Sequence, residues 1–393
     1  MAESMDGSMP DMMNLRTRLI HSGLARTDGA IVQPVFQTAT YESRPGSDYD
    51  DIRYLRLNNS PNHADLAARL TAITGGAAAV VAASGMAAIS TTLMALLKSG
   101  DHILAQDCLY GGTLSFLSED APAMGIAVDT IDGDACDAWV AKVRDSTRVF
   151  LVESLSNPTL RVADLESVVA FCRERGIISV IDNTFASPAN FRPLEMGFDV
   201  ELHSATKYLN GHSDLVAGCV ISSREIIEKV IHKLNHLGAT LDPHACFLLQ
   251  RGMKTLALRV AQQNENASYL AQRLAGHPAV AHVNYPTLAD HPHHERARRL
   301  FSGCGGVLSF DVVGGGVAAQ EVMDRLQLAA DAPSLGGVET LVSRPAVSSH
   351  AGQSPEQRAA LGIGAGLVRV AVGIEAAEDL WADFARALDG ARK

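Results

Sequence analysis

The sequence has no basic excess: Lys and Arg number 33 against 44 Asp and Glu, a formal net charge of −11. Gripping a phosphate backbone needs a concentrated basic face, so nucleic acid is not expected as a partner. No apolar run approaches the length of a membrane span. The opening MAESMDGSMPDMMNLRTRLI lacks the charged-then-apolar order of a secretion signal, so a cytoplasmic protein without membrane contact is expected. Cysteine is sparse. Cys108, Cys136, Cys172, Cys219, Cys246 and Cys304 form no CxxC pair, which fits neither a disulfide framework nor a zinc site, and no metal is expected. Cys172 and Cys219 lie inside apolar stretches and are read as packing residues. No internal repeat or low-complexity tract is found. No GxGxxG follows a first strand with an acidic residue beyond it, which argues against a dinucleotide-binding protein.

What is present is a chain of 393 residues, 47% hydrophobic, long enough for two lobes. From about 63 to 221, helix-like stretches alternate with the short apolar runs HILAQ, IAVDTI, RVFLVES, IISVID, VELHS and LVAGCVIS. This pattern predicts an α/β fold, a mostly parallel sheet with helices on both faces. ADLESVVAFCRERG sets Leu165, Val168, Val169 and Cys172 on one face, with Gly176 as a stop, and reads as a crossover helix. Residues 242–274 read as a long helix interrupted only at Gly252. Beyond it AVAHVNY, GVLSFDVV and GLVRVAV alternate with helices, which predicts a smaller C-terminal α/β domain. The expected division is an arm over 1–60 that packs against something else, a large domain over 61–250 and a C-terminal domain over 251–393.

Five places carry chemistry. In LHSATKYLNGH, Lys207 follows a strand. A strand end in an α/β sheet faces the ligand crevice, and a desolvated lysine there can lose its proton and attack an aldehyde. Ser204 and Thr206 precede it with hydroxyls suited to a phosphate. IISVID ends on Asp182, a carboxylate that suits a protonated ring nitrogen. In VVAASGMAAI a small-residue turn enters a helix, where the free N–H groups of Gly85 and Met86 form an anion site. Tyr110 could lay its ring on a flat heteroaromatic group, and Asn157 could donate to a phenolic oxygen. Each has an ordinary structural role when taken alone. Together they fit pyridoxal 5′-phosphate (PLP), whose ring draws in electrons while its nitrogen stays protonated.

With these residues in this order, and with ASGMAAIS, IDNTFASP, SATKYLNGHSD and SLGGVETL, the chain resembles the Cys/Met-metabolism family of PLP enzymes over nearly its whole length. The resemblance implies PLP-dependent transferase fold type I, with a seven-stranded large-domain sheet. It implies Lys207 as Schiff-base lysine and proton shuttle, Asp182 at the pyridine nitrogen, Tyr110 on the ring and Asn157 near the ring hydroxyl. Gly85, Met86, Ser204 and Thr206 would hold the phosphate, helped by Tyr54 and Arg56 of a neighbouring subunit, which implies a homo-oligomer, a dimer of active dimers. Ser334 and Arg369 would bind the α-carboxylate of an amino-acid substrate, and a buried arginine in the apolar GLVRVAVG does call for an anion. The implied activity is loss of a proton from Cα, then from Cβ, and expulsion of a γ-substituent. Addition of a thiol then gives γ-replacement, and hydrolysis gives γ-elimination, with Tyr110 a candidate acid for the leaving group.

The chain departs from the family at three places: Ser115 stands where many cystathionine-handling members carry arginine, Pro333 where lyases carry glutamate or tyrosine, and Gly112 where methionine γ-lyases carry cysteine. APSLGG at 332–337 is similar to plant cystathionine γ-synthases, and γ-synthase chemistry is the expectation. Cystathionine γ- or β-lyase, O-acylhomoserine sulfhydrylase and methionine γ-lyase are the alternatives. A non-catalytic binding protein of the same fold is the alternative of another class, and the full set of proton-transfer residues argues against it.

Overall fold

Two sheets organise the chain in a computed structural model that describes residues 13–391 apart from 44, 47, 49, 50 and 135. The first twelve residues of the expected arm and the last two of the chain lie outside the described residues. The first sheet has the order β1-β7-β6-β5-β4-β2-β3. Its strands are β1 (Ala78–Ala82), β2 (His102–Gln106), β3 (Ala127–Ile131), β4 (Thr147–Glu153), β5 (Ile178–Asp182), β6 (Val200–His203) and β7 (Gly218–Ser222). All six apolar runs became strands. Strands β3, β2, β4, β5 and β6 pair in parallel, but β7 runs antiparallel to both β6 and β1, so β1 again points the same way as β6. An apolar run encodes burial and not direction, which is why its hydropathy alone does not reveal the reversal at β7.

Side chains alternate between two apolar layers because both faces of this sheet are covered. On one face Val80, Ile103, Leu151 and Val220 pack with Ile89 and Leu93 of helix α3 and with Ile227 and Val230 of helix Arg224–Leu237. On the other, Val81, Leu104, Phe150 and Ile221 pack with Leu66 and Leu70 of α2 and with Val168 and Cys172 of helix Leu165–Arg175. Here α1 is Leu15–His21, α2 Pro61–Thr74 and α3 Gly85–Leu96. Cys172 and Cys219 belong to the second core, as their apolar settings indicate. Each buried aliphatic side chain of these layers contributes roughly 1.5–3 kcal/mol of transfer free energy.

The second sheet, β10-β11-β12-β9-β8, consists of β8 (Val280–Asn284), β9 (Val307–Val312), β10 (Ala330–Asp331), β11 (Leu341–Ser343) and β12 (Leu367–Ala371). It is antiparallel apart from the short β10–β11 pair. The expected single helix over 242–274 is two, Pro243–Met253 and Leu256–Ala275. Gly252 lies inside the first, where a Cβ would come within 2.1 Å of the Asn210 carbonyl oxygen, and the break falls just after it, at Lys254 and Thr255. No described helix is long and apolar enough to cross a membrane.

Candidate active site

Because β1, β2, β4, β5 and β6 point the same way, their C-terminal ends open together on one edge of the first sheet. A cleft of about 1510 Å³ lies there. It is lined by Gly85, Met86, Tyr110, Asn157, Asp182, Ser204, Thr206 and Lys207 from the first sheet, and by Ser334 and Arg369 from the second. Ten of the twelve residues singled out from the sequence therefore meet in one place.

Lys207 donates from Nζ to the Ser334 hydroxyl at 2.8 Å. Burial, aided by the Arg369 guanidinium, lowers the Lys207 pKa to about 8. Arg369, on β12, is buried; its Nη2 donates to the Ser334 carbonyl at 3.1 Å and its Nη1 to Asn157 Oδ1 at 3.3 Å. Its Nε has no partner, and burial lowers its pKa to about 10. A buried guanidinium with a spare donor at the wall of a cleft is suited to receive a carboxylate. Ser334 itself holds φ at 99°, a left-handed conformation that a non-glycine residue adopts only when its surroundings fix it.

Gly85 and Met86 open helix α3, at the helix start where the sequence suggests an anion site. Ser84 caps α3 by accepting from the Ala87 N–H at 3.0 Å, which leaves the N–H groups of Gly85 and Met86 open among the described residues. Any Cβ on Gly85 would stand 2.7 Å from the Ser204 Cβ, so only glycine lets this backbone and Ser204 approach so closely. Thr206 differs from expectation: its hydroxyl donates to the Ala217 carbonyl at 3.1 Å and accepts from the Ala217 N–H at 3.0 Å. Its single proton is already used, so an anion would meet the Ser204 hydroxyl more readily.

At the other end, Asp182 accepts from the Thr184 N–H at 2.9 Å and from the Thr184 hydroxyl at 2.5 Å. Burial raises its pKa against those bonds and against the opposing pull of His203. Glu153, at the end of β4, is its register partner. The sequence reading missed this residue, although Glu153 ends RVFLVE as Asp182 ends IISVID, a carboxylate closing an apolar strand. Its Oε1 accepts from the Tyr110 N–H at 2.6 Å, the Asn157 N–H also bonds its carboxyl, and Oε2 is buried without a partner. Burial and the Asp182 charge raise its pKa well above the ordinary value. Buried Glu153 and half-buried Asp182 lie side by side here, and a protonated ring nitrogen would give the pair a positive partner. Phosphate donors, a depressed lysine and a carboxylate in want of a cation together fit PLP.

Tyr54 and Arg56 do not line this cleft. Arg56 lies 5.7 Å over the Tyr54 ring and donates to the Asn235 carbonyl at 2.9 Å, on the chain's outside. Exposed Ile20, Leu24, Ile31, Val32 and Ile52 lie in the same N-terminal segment. Gly112, Ser115 and Pro333 do line the cleft, and none brings a charge.

A family model for Cys/Met metabolism PLP-dependent enzymes matches residues 16–389. L-methionine gamma-lyase of Pseudomonas putida is 40% identical over 385 residues, covering 95% of this chain and 96% of that protein. Cystathionine gamma-lyase of Bacillus subtilis (strain 168) is 38% identical over 380 residues, 96% of this chain and 100% of the relative. The solved structure of cystathionine gamma synthase from Xanthomonas oryzae pv. oryzae superposes with a TM-score of 0.93 at 36% identity, over 97% of this chain and 99% of that one.

Proposed function

Since this chain belongs to the Cys/Met metabolism PLP-dependent enzymes, we propose that it catalyses γ-replacement on a homoserine-derived amino acid, in the manner of a cystathionine γ-synthase. The reading is carried by one observation: Lys207, Ser334 and Arg369 form a continuous hydrogen-bonded set that joins a readily deprotonated amine to a carboxylate receptor. Bound PLP supplies an aldehyde and a protonated ring that draws electrons from the substrate's Cα. Gly85, Met86 and Ser204 hold its phosphate, Asp182 its ring nitrogen, and Asn157 its ring hydroxyl; Thr206 steadies the loop through Ala217. Arg369, with Ser334, fixes the substrate carboxylate and so presents Cα to Lys207 Nζ, which takes the proton and passes one on. Tyr110 stacks on the ring and serves as acid for the γ-substituent.

The same set also serves γ-elimination, and the uncharged lining at Gly112, Ser115 and Pro333 favours that second reading for substrates with a neutral γ-group. Assaying O-acylhomoserines, cystathionine, homocysteine and methionine, with and without cysteine, decides between them. Cysteine-dependent thioether formation from an O-acylhomoserine is the expected result. Release of 2-oxo acid alone, unaffected by cysteine, would replace the γ-synthase reading with a lyase.

Glu153 gives a prediction of its own. Burial and the Asp182 charge hold Glu153 well above the ordinary carboxyl range, so Glu153 is the protonated member of the pair, and Glu153→Gln keeps both that neutral form and an acceptor for the Tyr110 N–H. The acid limb of kcat/KM should therefore stay within about half a pH unit of wild type. Glu153→Ala, which also releases Tyr110 and Asn157, should lose turnover at every pH. An acid limb displaced by about one pH unit or more in Glu153→Gln would mean instead that Glu153 carries a charge beside Asp182.

Residues 1–60 we assign as an arm reaching a second subunit, 61–250 as the PLP-binding domain and 251–393 as the C-terminal domain. Tyr54 and Arg56 lie outside their own cleft among exposed apolar residues, as donors to a partner's phosphate site would. Cofactor affinity and assembly are then linked, because a ligand bound only by the assembled form stabilises it. Arg56→Ala should weaken PLP binding, and Arg56→Lys should recover part of the loss, since a lysine lacks the planar fork. Titrating apo-protein with PLP over a range of protein concentrations, with sedimentation alongside, checks this. Tight binding by a monomer would rule the shared site out.

A further inference from the structure

Helix Leu256–Ala275 carries three polar side chains on its buried face, Arg259, Gln263 and Asn266, at helical spacing and almost without solvent contact. Burying such groups costs free energy that apolar residues would avoid, and Arg259 has no carboxylate partner among the described residues; burial lowers its pKa to about 10. What they share is their targets. Arg259 Nη1 donates to the Tyr208 carbonyl at 2.9 Å, while its Nη2 and Nε bind Gly252 and Thr255 at the helix break. Gln263 Nε2 donates to the Gly337 carbonyl at 2.7 Å. Asn266 Nδ2 donates to the Gly373 and Glu375 carbonyls at 3.1 and 2.7 Å. Tyr208 follows Lys207, Gly337 closes the loop of Ser334, and Gly373 and Glu375 lie just beyond β12 with its Arg369.

Those segments are also locked to one another. A Cβ on Gly336 would stand 2.6 Å from the Tyr208 nitrogen, so the Ser334 loop lies directly on the Lys207–Tyr208 peptide. The Tyr208 hydroxyl accepts from the Gly306 N–H at 2.8 Å.

We propose that Arg259, Gln263 and Asn266 are positioning residues: one rail of side-chain donors that sets the distance between the Lys207 amine and the Ser334–Arg369 carboxylate receptor. This rests on the roles given above to Lys207, Ser334 and Arg369. Gln263→Met keeps the side chain's length and removes its donor, so the Ser334 loop loses its tether while the core stays filled. Displacing reacting groups by a fraction of an ångström lowers kcat/KM by about tenfold to a hundredfold, and KM for the amino acid should rise because the receptor moves. Lys207 loses a fixed partner, so the pH midpoint of the bound cofactor's visible absorbance should shift by about half a unit or more. Arg259→Lys, which keeps the charge and one donor, should fall between wild type and Gln263→Met, and stands in if the latter does not fold.

The test is a pH titration of visible absorbance on holoenzyme, with KM and kcat measured separately and melting temperatures recorded. Shifted midpoints and a raised KM in folded variants support the rail. Variants that only melt earlier, with wild-type midpoints and KM, overturn it. Lys207→Ala in the same titration separates the two levels: a retained visible band there condemns the site reading itself, whereas its loss beside an unmoved Gln263→Met condemns the rail alone.

Discussion

Lys207→Ala should abolish turnover, by on the order of 10⁴-fold or more, and remove the visible absorbance of the bound cofactor in the same step. Both effects have one origin in the proposed mechanism, where Nζ would be both the nucleophile that holds the aldehyde and the base that moves the Cα proton. Burial and the charge of Arg369 set its pKa at about 8. An ordinary lysine is almost wholly protonated at pH 7.5, whereas this one is neutral in about a quarter of molecules. The sign follows directly. The neutral amine attacks, so PLP capture by apo-protein should speed up about tenfold per pH unit below about pH 8 and level off above it. Stopped-flow absorbance across pH 6–10, an interval chosen around that value, measures the profile. A yellow and active Lys207→Ala protein would sink the assignment.

Asp182→Ala should retain some PLP through the phosphate contacts but lose activity by on the order of 10²–10³-fold. The carboxylate is held in place by the Thr184 N–H and hydroxyl, so it is fixed before any cofactor arrives. Burial works against its charge, and a protonated ring nitrogen repays that cost only where it can sit against the carboxylate. Without Asp182 the ring nitrogen loses its proton, and with it the pull on electrons leaving Cα. Asp182→Asn keeps the shape and tests the charge alone; it should resemble Asp182→Ala in rate while binding PLP better. Turnover near wild type in either variant would remove Asp182 from the mechanism.

How far these residues could be read beforehand depends on what each contrasts with. Asp182 stands out because it ends an apolar strand at the crevice edge, and Lys207 because it follows one. Glu153 ends one too, but its meaning comes from lying beside Asp182, and strand order is not written in hydropathy. The direction of β7 was hidden for the same reason, and β10 and β11, of two and three residues, are too short for any period to register. Arg259, Gln263 and Asn266 look like the polar side of an ordinary helix until the carbonyls they serve are in view. Tyr54 and Arg56 were legible through family resemblance alone, since nothing in their own chain recruits them to the cleft. Thr206 lines the cleft, but its hydroxyl proton goes to Ala217, a partner eleven residues away that no local pattern discloses.

The antiparallel β7 also has a bearing on how the molecule comes into being. Among the described residues strand β1 pairs with β7 alone, and Ala78 faces Ser222, over a third of the chain's length away. Closing so long a loop is slow to be rewarded, because its entropy is lost before any pairing is gained. On the ribosome, β2 to β6 can associate in parallel as they emerge, while β1 waits unpaired for the segment ending at Ser222. The start of α3, which β1 carries into the cleft, is therefore among the last pieces of the first sheet to be seated, and a nascent chain shorter than this has no finished cradle for a phosphate.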